Sequence, residues 1–174
     1  FDELHGASLA VVGLGPIGLE VVRLGQALNM NVEAVRRTPH GDEPCPAFAI
    51  SELHDVLSRA AWTVSALPLT PDTRGLFGAE AFAAMPDGAR FVNVGRGELV
   101  DENALVDALR SGHLAGAGLD VFATEPLPAD SPLWGMDNVI ITPHNSGSST
   151  ATRARGERMF LDNLAAWCAG RPLT

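Results

Sequence analysis

The segment VVGLGPIG, at residues 11–18, constrains the fold more than any other part of this sequence. Its GxGxxG glycines follow an apolar run at residues 9–12 and precede apolar residues at helical spacing; they are Gly13, Gly15 and Gly18. A strand, a glycine-rich turn and a helix in this order are typical of a dinucleotide-binding unit. The first glycine permits the tight turn, the second lets a pyrophosphate approach the backbone, and the third lets the helix pack closely on the strand. The sequence therefore predicts a phosphate-binding turn here.

Short apolar runs alternate with segments of helical periodicity along the rest of the chain. The runs predict strands at residues 9–12, 32–35, 63–67, 91–94, 117–121 and 139–141. Helices are predicted at residues 17–28, 51–57, 79–85, 101–111 and 150–169, with Ser51 and Asp101 as caps, and a proline-containing loop is predicted after the second strand. This alternation indicates βαβ units, and almost wholly apolar strands indicate a sheet covered on both faces. We therefore predict an α/β fold, a Rossmann-type doubly wound parallel sheet, in a single domain over residues 1–174.

Composition and charge limit the partners of the chain. With 46% hydrophobic and 19% charged residues, the chain can bury a core of ordinary size. A net charge of −9 argues against a nucleic-acid partner. No apolar run is long enough to cross a membrane and no secretory signal is visible, so no membrane partner is expected. The two cysteines, Cys45 and Cys168, form no CxxC motif, which is typical of a reducing, cytoplasmic location.

Histidines and the first residue support two further expectations. Four histidines lack neighbours at metal-ligand spacing along the sequence; they are His5, His40, His54 and His113. We therefore expect no metal site. Because the sequence starts at Phe1 and not at a methionine, we also expect it to be part of a longer protein.

The second predicted strand ends at Arg36, which is followed by Arg37 and Thr38. In dinucleotide-binding folds an acidic residue at this point binds the adenosine ribose hydroxyls, and its charge repels a 2′-phosphate. An arginine removes that repulsion and can form a bidentate ion pair with phosphate, to which the Thr38 hydroxyl can add a hydrogen bond. The arginines therefore predict NADP(H) as the cofactor, with NAD(H) as the alternative. The alternative is that the two arginines are a solvent-exposed pair on a loop and do not bind a cofactor.

Polar residues that could carry chemistry follow three later strands. Arg96 follows the fourth predicted strand, Asp120 and Glu125 lie at and after the end of the fifth, and His144 follows the sixth. Because ligands bind outside the carboxyl ends of the strands, these side chains are expected beside the cofactor. A guanidinium can bind a substrate carboxylate, and an imidazolium can donate a proton to a carbonyl oxygen as hydride arrives. A carboxylate beside the imidazole would raise its pKa, so the set predicts hydride transfer to a 2-oxo acid.

Each of these residues taken alone also fits a role without chemistry. Arg96 fits a surface turn, Glu125 a solvated loop and His144 the end of a strand. Their convergence on one edge of the sheet favours the catalytic interpretation.

At these residues the chain resembles the nucleotide-binding domain of the D-isomer-specific 2-hydroxyacid dehydrogenases. The resemblance rests on four segments, which together cover most of the sequence. They are VVGLGPIG, ALPLTPDTRGLFG, FVNVGRGELVDENALVDALRSGHLAGAGLDVFATEPLP and NVIITPHNSG.

The resemblance implies a role for each residue that matches the family's motifs. Arg96 would bind the substrate carboxylate, His144 would be the acid–base residue, and Glu125 would be its partner. Asp120 would bind the nicotinamide carboxamide. The other implied cofactor contacts, besides the glycines of the turn and His144, are Pro16, Ile17, Leu67, Pro68, Thr73, Val94, Gly95 and Gly147.

The sequence departs from the family at two points. Arg36 stands where many members carry Asp, and within the family this change accompanies the glyoxylate and hydroxypyruvate reductase type, which uses NADPH. The family's separate substrate domain is absent from these residues, and the resemblance implies a homodimer formed through the nucleotide domain, with the segment 96–132 as its surface. A corepressor-like nucleotide sensor and an NAD-linked dehydrogenase of the phosphoglycerate type remain alternatives.

Overall fold

The computed structural model describes residues 3–173 and divides into two compact units, with the boundary after Pro143. The first unit contains a parallel β-sheet and the helices that cover it. The second unit contains one long helix. Each unit is described by itself.

A sheet of seven parallel strands forms the centre of the first unit. The strands are β1 Ser8–Val12, β2 Asn31–Arg36, β3 Ala47–Ala49, β4 Trp62–Ser65, β5 Ala89–Asn93, β6 Leu114–Leu119 and β7 Val139–Ile141, in the spatial order β3-β2-β1-β4-β5-β6-β7. The predicted α/β doubly wound fold is confirmed. The prediction missed β3, which begins directly after the proline-containing loop and pairs with β2 over three residues. Three half-buried residues are too few to show a strand periodicity in the sequence.

Five α-helices accompany the strands. They are α1 Pro16–Ala27, α2 Leu53–Leu57, α3 Ala79–Ala84, α4 Glu102–Arg110 and α5 Thr152–Cys168. The Asp101 carboxylate caps α4 by accepting the N–H groups of Asn103 and Ala104, as the sequence predicts. The predicted cap at Ser51 is wrong, because the Glu52 carboxylate accepts the Ala49 N–H instead. Within residues 3–173, no helix combines the length and the apolar character that a membrane crossing requires.

Hydrophobic clusters cover both faces of the sheet. Along β1, Ala10 and Val12 belong to the larger cluster, whereas Leu9 and Val11 belong to the smaller one, so alternate side chains enter opposite layers. The larger cluster contains three packed phenylalanine rings whose centroids lie 4.9–6.5 Å apart. This double coverage explains why the strands are apolar at nearly every position.

Helix α1 packs on the sheet through small residues. Its buried positions are Gly18, Val22 and Gly25, while Leu24 and Leu28 are about half exposed. A Cβ atom on Gly25 would lie 2.7 Å from a Leu9 side-chain carbon, so the glycine allows the helix to approach β1 closely. The apolar spacing therefore predicts the helix, but it does not identify the buried face.

The His113 imidazole joins the turn before β6 to helix α3 and to the loop that follows α3. Its Nδ1 lies 2.7 Å from an Asp87 carboxylate oxygen and its Nε2 lies 2.9 Å from the Phe82 carbonyl oxygen. Both partners accept hydrogen bonds, so only the imidazolium, with two N–H donors, satisfies both. The Phe82 carbonyl, followed by the Asp87 carboxylate, raises the pKa of His113 above 6.5.

Replacing His113 by Gln is expected to destabilise the first unit by about 0.5–1 kcal/mol in mildly acidic solution. Because folding raises the pKa of His113, its stabilisation is complete below the unfolded value near 6.5 and is lost as the pH rises through the folded value. Urea unfolding at a series of pH values should therefore show a gap between wild type and His113→Gln that narrows with rising pH. A gap that stays constant, or one equal to that of the exposed control His54→Gln, would contradict this role.

Candidate functional site

The carboxyl ends of the strands form one continuous edge, because the first residue after a strand bonds to the neighbouring strand. In each case a backbone N–H donates to the carbonyl of the last residue of that neighbour or, for β2, of the residue before the last. The donor–acceptor pairs are Gly13–Val35 (2.8 Å), Ala66–Val12 (2.8 Å), Val94–Ser65 (3.0 Å), Asp120–Asn93 (3.1 Å) and Thr142–Leu119 (2.9 Å). The chain leaves β1 toward β2 and β3 on one side and returns to β4 on the other, so the topological switch point lies at β1 and β4. This is where ligands bind in open α/β sheets.

The glycine turn brings three backbone segments into close contact. Gly13 has a φ of 107°, and a Cβ on it would lie 2.8 Å from the Ala66 carbonyl carbon. A Cβ on Gly18 would lie 1.8 Å from the Gly13 carbonyl oxygen. Both positions therefore require glycine. Gly15 has no atom within 4 Å of its Cβ position, so space remains open at the turn.

The N-terminus of α1 is suited to bind phosphate. Gly15 occupies the N-cap position without a side-chain hydrogen bond, and Pro16 opens the helix. The first N–H groups of a helix lack intrahelical partners, and an anion can accept from them. Ile17 is 56% exposed at this point. The residues predicted to hold a pyrophosphate thus fit that group.

The end of β2 carries a cation held by an acid from the next loop. The Arg36 Nη1 atom donates to Glu43 Oε1 at 3.0 Å, and the two side chains are 27% and 5% exposed. Arg37 and Thr38 are exposed. The predicted cluster therefore lies at the surface beside the glycine turn, since β2 pairs directly with β1.

Glu43 is a residue that the sequence analysis missed. Its carboxylate also accepts the N–H groups of His40 and Gly41, at 2.7 and 2.8 Å. The His40 N–H, more than any other contact, lowers the pKa of Glu43 from 4.5 to about 2, burial opposes it, and the Gly41 N–H and Arg36 lower it further. The ligand atoms of His40, Asp42 and Glu43 lie within 4.8 Å of one another, a proximity that the sequence spacing did not suggest. Both Glu43 oxygens already accept hydrogen bonds.

The loop after β4 is closed by a threonine. The Thr73 hydroxyl donates to the Pro68 carbonyl at 2.8 Å, and the Thr70 N–H donates to the same hydroxyl at 2.8 Å. Leu67 is buried, and a Cβ on Gly95 would lie 2.7 Å from its carbonyl oxygen. Leu67, Pro68 and Thr73 therefore form a fixed loop against the segment after β5.

Asn93, a second residue that the sequence analysis did not select, orders that segment. It is 1% exposed, its Oδ1 accepts the Gly95 N–H at 3.1 Å, and its Nδ2 donates to the Arg96 carbonyl at 2.9 Å. The Arg96 side chain is exposed, and its guanidinium donates to the Gly95 carbonyl at 2.7 Å. Among residues 3–173, Arg96 forms no ion pair with a carboxylate. Asn93 thus orders the backbone segment that carries the Arg96 guanidinium.

Two carboxylates follow β6. Asp120 is 3% exposed and accepts a hydrogen bond of 2.6 Å from the Thr142 hydroxyl. The exposed Glu125 accepts the Phe122 N–H at 3.0 Å. Gly97 packs against this segment, since its Cβ would lie 1.8 Å from the Phe122 carbonyl carbon. The segments that carry Arg96 and Glu125 are therefore in backbone contact.

His144 is the first residue of the second unit. Its φ of 49° lies in the left-handed region, which is uncommon for residues other than glycine. Such backbone conformations concentrate at functional sites. Gly147 follows in the turn before α5, where its carbonyl accepts the Thr152 hydroxyl at 3.2 Å.

Strand order, the glycine turn and the free helix N-terminus define a dinucleotide-binding domain of the Rossmann class. More particularly, the chain belongs to the D-isomer specific 2-hydroxyacid dehydrogenase family, because residues 1–146 match the model of that family's NAD binding domain. The resemblance predicted from the four motifs is confirmed.

Three relatives illustrate the match. Glyoxylate/hydroxypyruvate reductase B of Escherichia fergusonii is 41% identical over 172 residues, which are 97% of this chain and 53% of that protein. The D-isomer specific 2-hydroxyacid dehydrogenase of Xanthobacter autotrophicus Py2, solved with NADPH and MES, is 42% identical with a TM-score of 0.88, over 96% of this chain and 69% of that one. A probable 2-hydroxyacid dehydrogenase of Rhizobium etli CFN 42 was solved with NADP, HEPES and L(+)-tartaric acid. It is 36% identical with a TM-score of 0.90, over 99% of this chain and 56% of that one. The chain spans about half the length of the curated relatives it matches.

Proposed function

We propose that this chain is the cofactor-binding part of an NADP(H)-preferring reductase of small 2-oxo acids. Arg36 at the end of β2 is the observation that carries the cofactor preference, because a cation there attracts a 2′-phosphate that an acid would repel. The exposed guanidinium of Arg37, which has no partner among residues 3–173, adds positive charge. Relatives crystallised with NADPH and NADP support the same preference.

The reaction assigns a separate task to each side chain after β5, β6 and β7. NADPH, when bound, supplies the hydride. Arg96 binds the carboxylate of the 2-oxo acid, and His144 donates a proton to the carbonyl oxygen. Glu125 is assigned as the partner that orients the imidazole, and Asp120, already held by the Thr142 hydroxyl, accepts a hydrogen bond from the nicotinamide carboxamide.

The names of the curated relatives favour this proposal over the two alternatives. The relatives that match over most of this chain are named glyoxylate/hydroxypyruvate reductase B. That name supports a reductase over a corepressor-like sensor, and over a phosphoglycerate-type dehydrogenase. Homodimerisation through this chain stays a prediction from the family resemblance.

Calorimetric titration of the chain with NADPH and NADH should show tighter binding of NADPH by about tenfold or more, since a charge-assisted phosphate contact contributes roughly 1.5–3 kcal/mol. Arg36→Asp should reverse the order, because the new carboxylate repels the 2′-phosphate and accepts the ribose hydroxyls. The control Arg23→Asp makes the same change of charge on the exposed side of α1, where Arg23 pairs with Glu20. Equal affinities in wild type, or an unaltered preference in Arg36→Asp, would count against the proposal.

A further inference from the structure

We propose that Glu43 is a positioning residue that fixes the Arg36 guanidinium for recognition of a 2′-phosphate. The inference rests on the proposed function and deepens it. It assigns part of the cofactor preference to an acidic residue that lies seven positions beyond Arg36 and itself touches no phosphate.

The Glu43 carboxylate is anchored by the backbone. Oε2 accepts the Gly41 N–H at 2.8 Å, and Oε1 accepts both the His40 N–H at 2.7 Å and the Arg36 Nη1 at 3.0 Å. Two of these donors belong to the main chain of the same loop. The carboxylate therefore keeps its place whether or not Arg36 contacts it.

A nearly buried, permanently charged anchor suits this task. The Glu43 side chain is 5% exposed. With a pKa lowered to about 2, chiefly by the His40 N–H, the carboxylate stays ionised at neutral and mildly acidic pH. A long arginine side chain otherwise samples many rotamers, and holding it at one atom removes part of the entropy cost of binding.

The contact leaves most of the guanidinium available. Arginine has five N–H donors in a planar fork, and Glu43 accepts from Nη1 alone. Among residues 3–173, Arg36 has no other side-chain partner. The remaining donors can form the bidentate pair that phosphate prefers.

Repulsion between Glu43 and a 2′-phosphate is the opposing effect. Two backbone N–H groups and one guanidinium already surround the carboxylate, and these donors compensate its charge. Its low exposure also keeps it from the solvent-facing side on which a phosphate would approach. Positioning should therefore prevail over repulsion.

Glu43→Gln is expected to weaken NADPH binding by about fivefold to tenfold and to leave NADH binding unchanged. Glutamine has one acceptor oxygen and one donor nitrogen, so it cannot accept from both the Gly41 N–H and the His40–Arg36 pair, and it replaces the ion pair with Arg36 by at most a neutral hydrogen bond. Glu52→Gln is a matched control, since Glu52 also accepts a backbone N–H, that of Ala49 at the end of β3, which pairs with Arg36 in the sheet. Both cofactors are titrated calorimetrically against each variant of the 174-residue chain.

A double-mutant cycle separates positioning from a structural effect on the loop. In an Arg36→Ala background, adding Glu43→Gln should leave the NADPH-to-NADH affinity ratio unchanged, because the residue through which Glu43 acts is gone. The same loss in both backgrounds, or an equal loss of NADPH and NADH affinity, would overturn the inference. Wild-type binding without NADPH preference overturns the proposed function as well, whereas wild-type preference that survives Glu43→Gln overturns this inference alone.

Discussion

With this chain joined to a substrate domain, His144→Asn is expected to lower the rate of the proposed 2-oxo acid reduction about a hundredfold or more, because a positioned general acid is lost. Hydride addition to a carbonyl leaves negative charge on its oxygen, and an asparagine amide cannot deliver the proton that neutralises it. Binding of NADPH should fall much less than the rate, because the residues predicted to bind its phosphates lie in the first unit and His144 is one implied cofactor contact among many. Steady-state rates followed by NADPH absorbance, together with cofactor titrations, measure both quantities.

The choice of asparagine follows from the backbone of His144. Its φ of 49° penalises most side chains, but asparagine enters this region as readily as histidine does. His144→Ala would mix a backbone cost with the chemical effect. Retention of more than a tenth of the wild-type rate in His144→Asn would show that another group donates the proton.

Gly97→Ala is expected to reduce the free energy of unfolding by about 3 kcal/mol, the upper part of the range for overpacking. A Cβ at this position would lie 1.8 Å from the Phe122 carbonyl carbon and 2.1 Å from its oxygen. Main-chain atoms cannot avoid the methyl group by rotamer changes, so one of the two segments must move. Because the Phe122 N–H holds Glu125, the movement also displaces the predicted partner of His144.

Urea unfolding tests the effect of Gly97→Ala, read as a lower midpoint at unchanged slope. Gly135→Ala is the control, since Gly135 lies in a short helical turn of the same unit with no atom within 4 Å of its Cβ position. The control should shift the free energy of unfolding by less than about 1 kcal/mol. Equal midpoints for the two variants would mean that the contact at Phe122 relaxes freely.

The sequence predicts the parts of the fold that depend on local patterns. Long strands buried on both faces leave continuous apolar runs, and the Asp101 cap precedes its helix directly. Strand β3 could not be predicted, because its three residues depend on pairing with β2. The buried face of α1 could not be predicted either, since two of its three buried residues, Gly18 and Gly25, have no apolar side chain to mark them in the sequence.

The candidate site likewise contains residues that the sequence predicts and residues that it does not. Residues directly after strands, such as Arg96 and Asp120, could be predicted because parallel strands end at one edge. Glu43 and Asn93 act through hydrogen bonds to the loop backbone, and no spacing rule identifies which backbone groups they bond to. The roles of Arg96, Glu125 and His144 stay predictions.

Loop transplantation between relatives benefits from the backbone links along the carboxyl edge. Each of these backbone hydrogen bonds fixes the first residue after a strand to the neighbouring strand. A grafted loop would therefore begin at the same position and in the same direction as the original loop. Inserting one residue within a strand would instead move the link by about 3.3 Å and turn the following side chains to the opposite face. New substrate or cofactor preferences can therefore be built by exchanging linked loops such as the one that follows β5, while the strands are kept residue for residue.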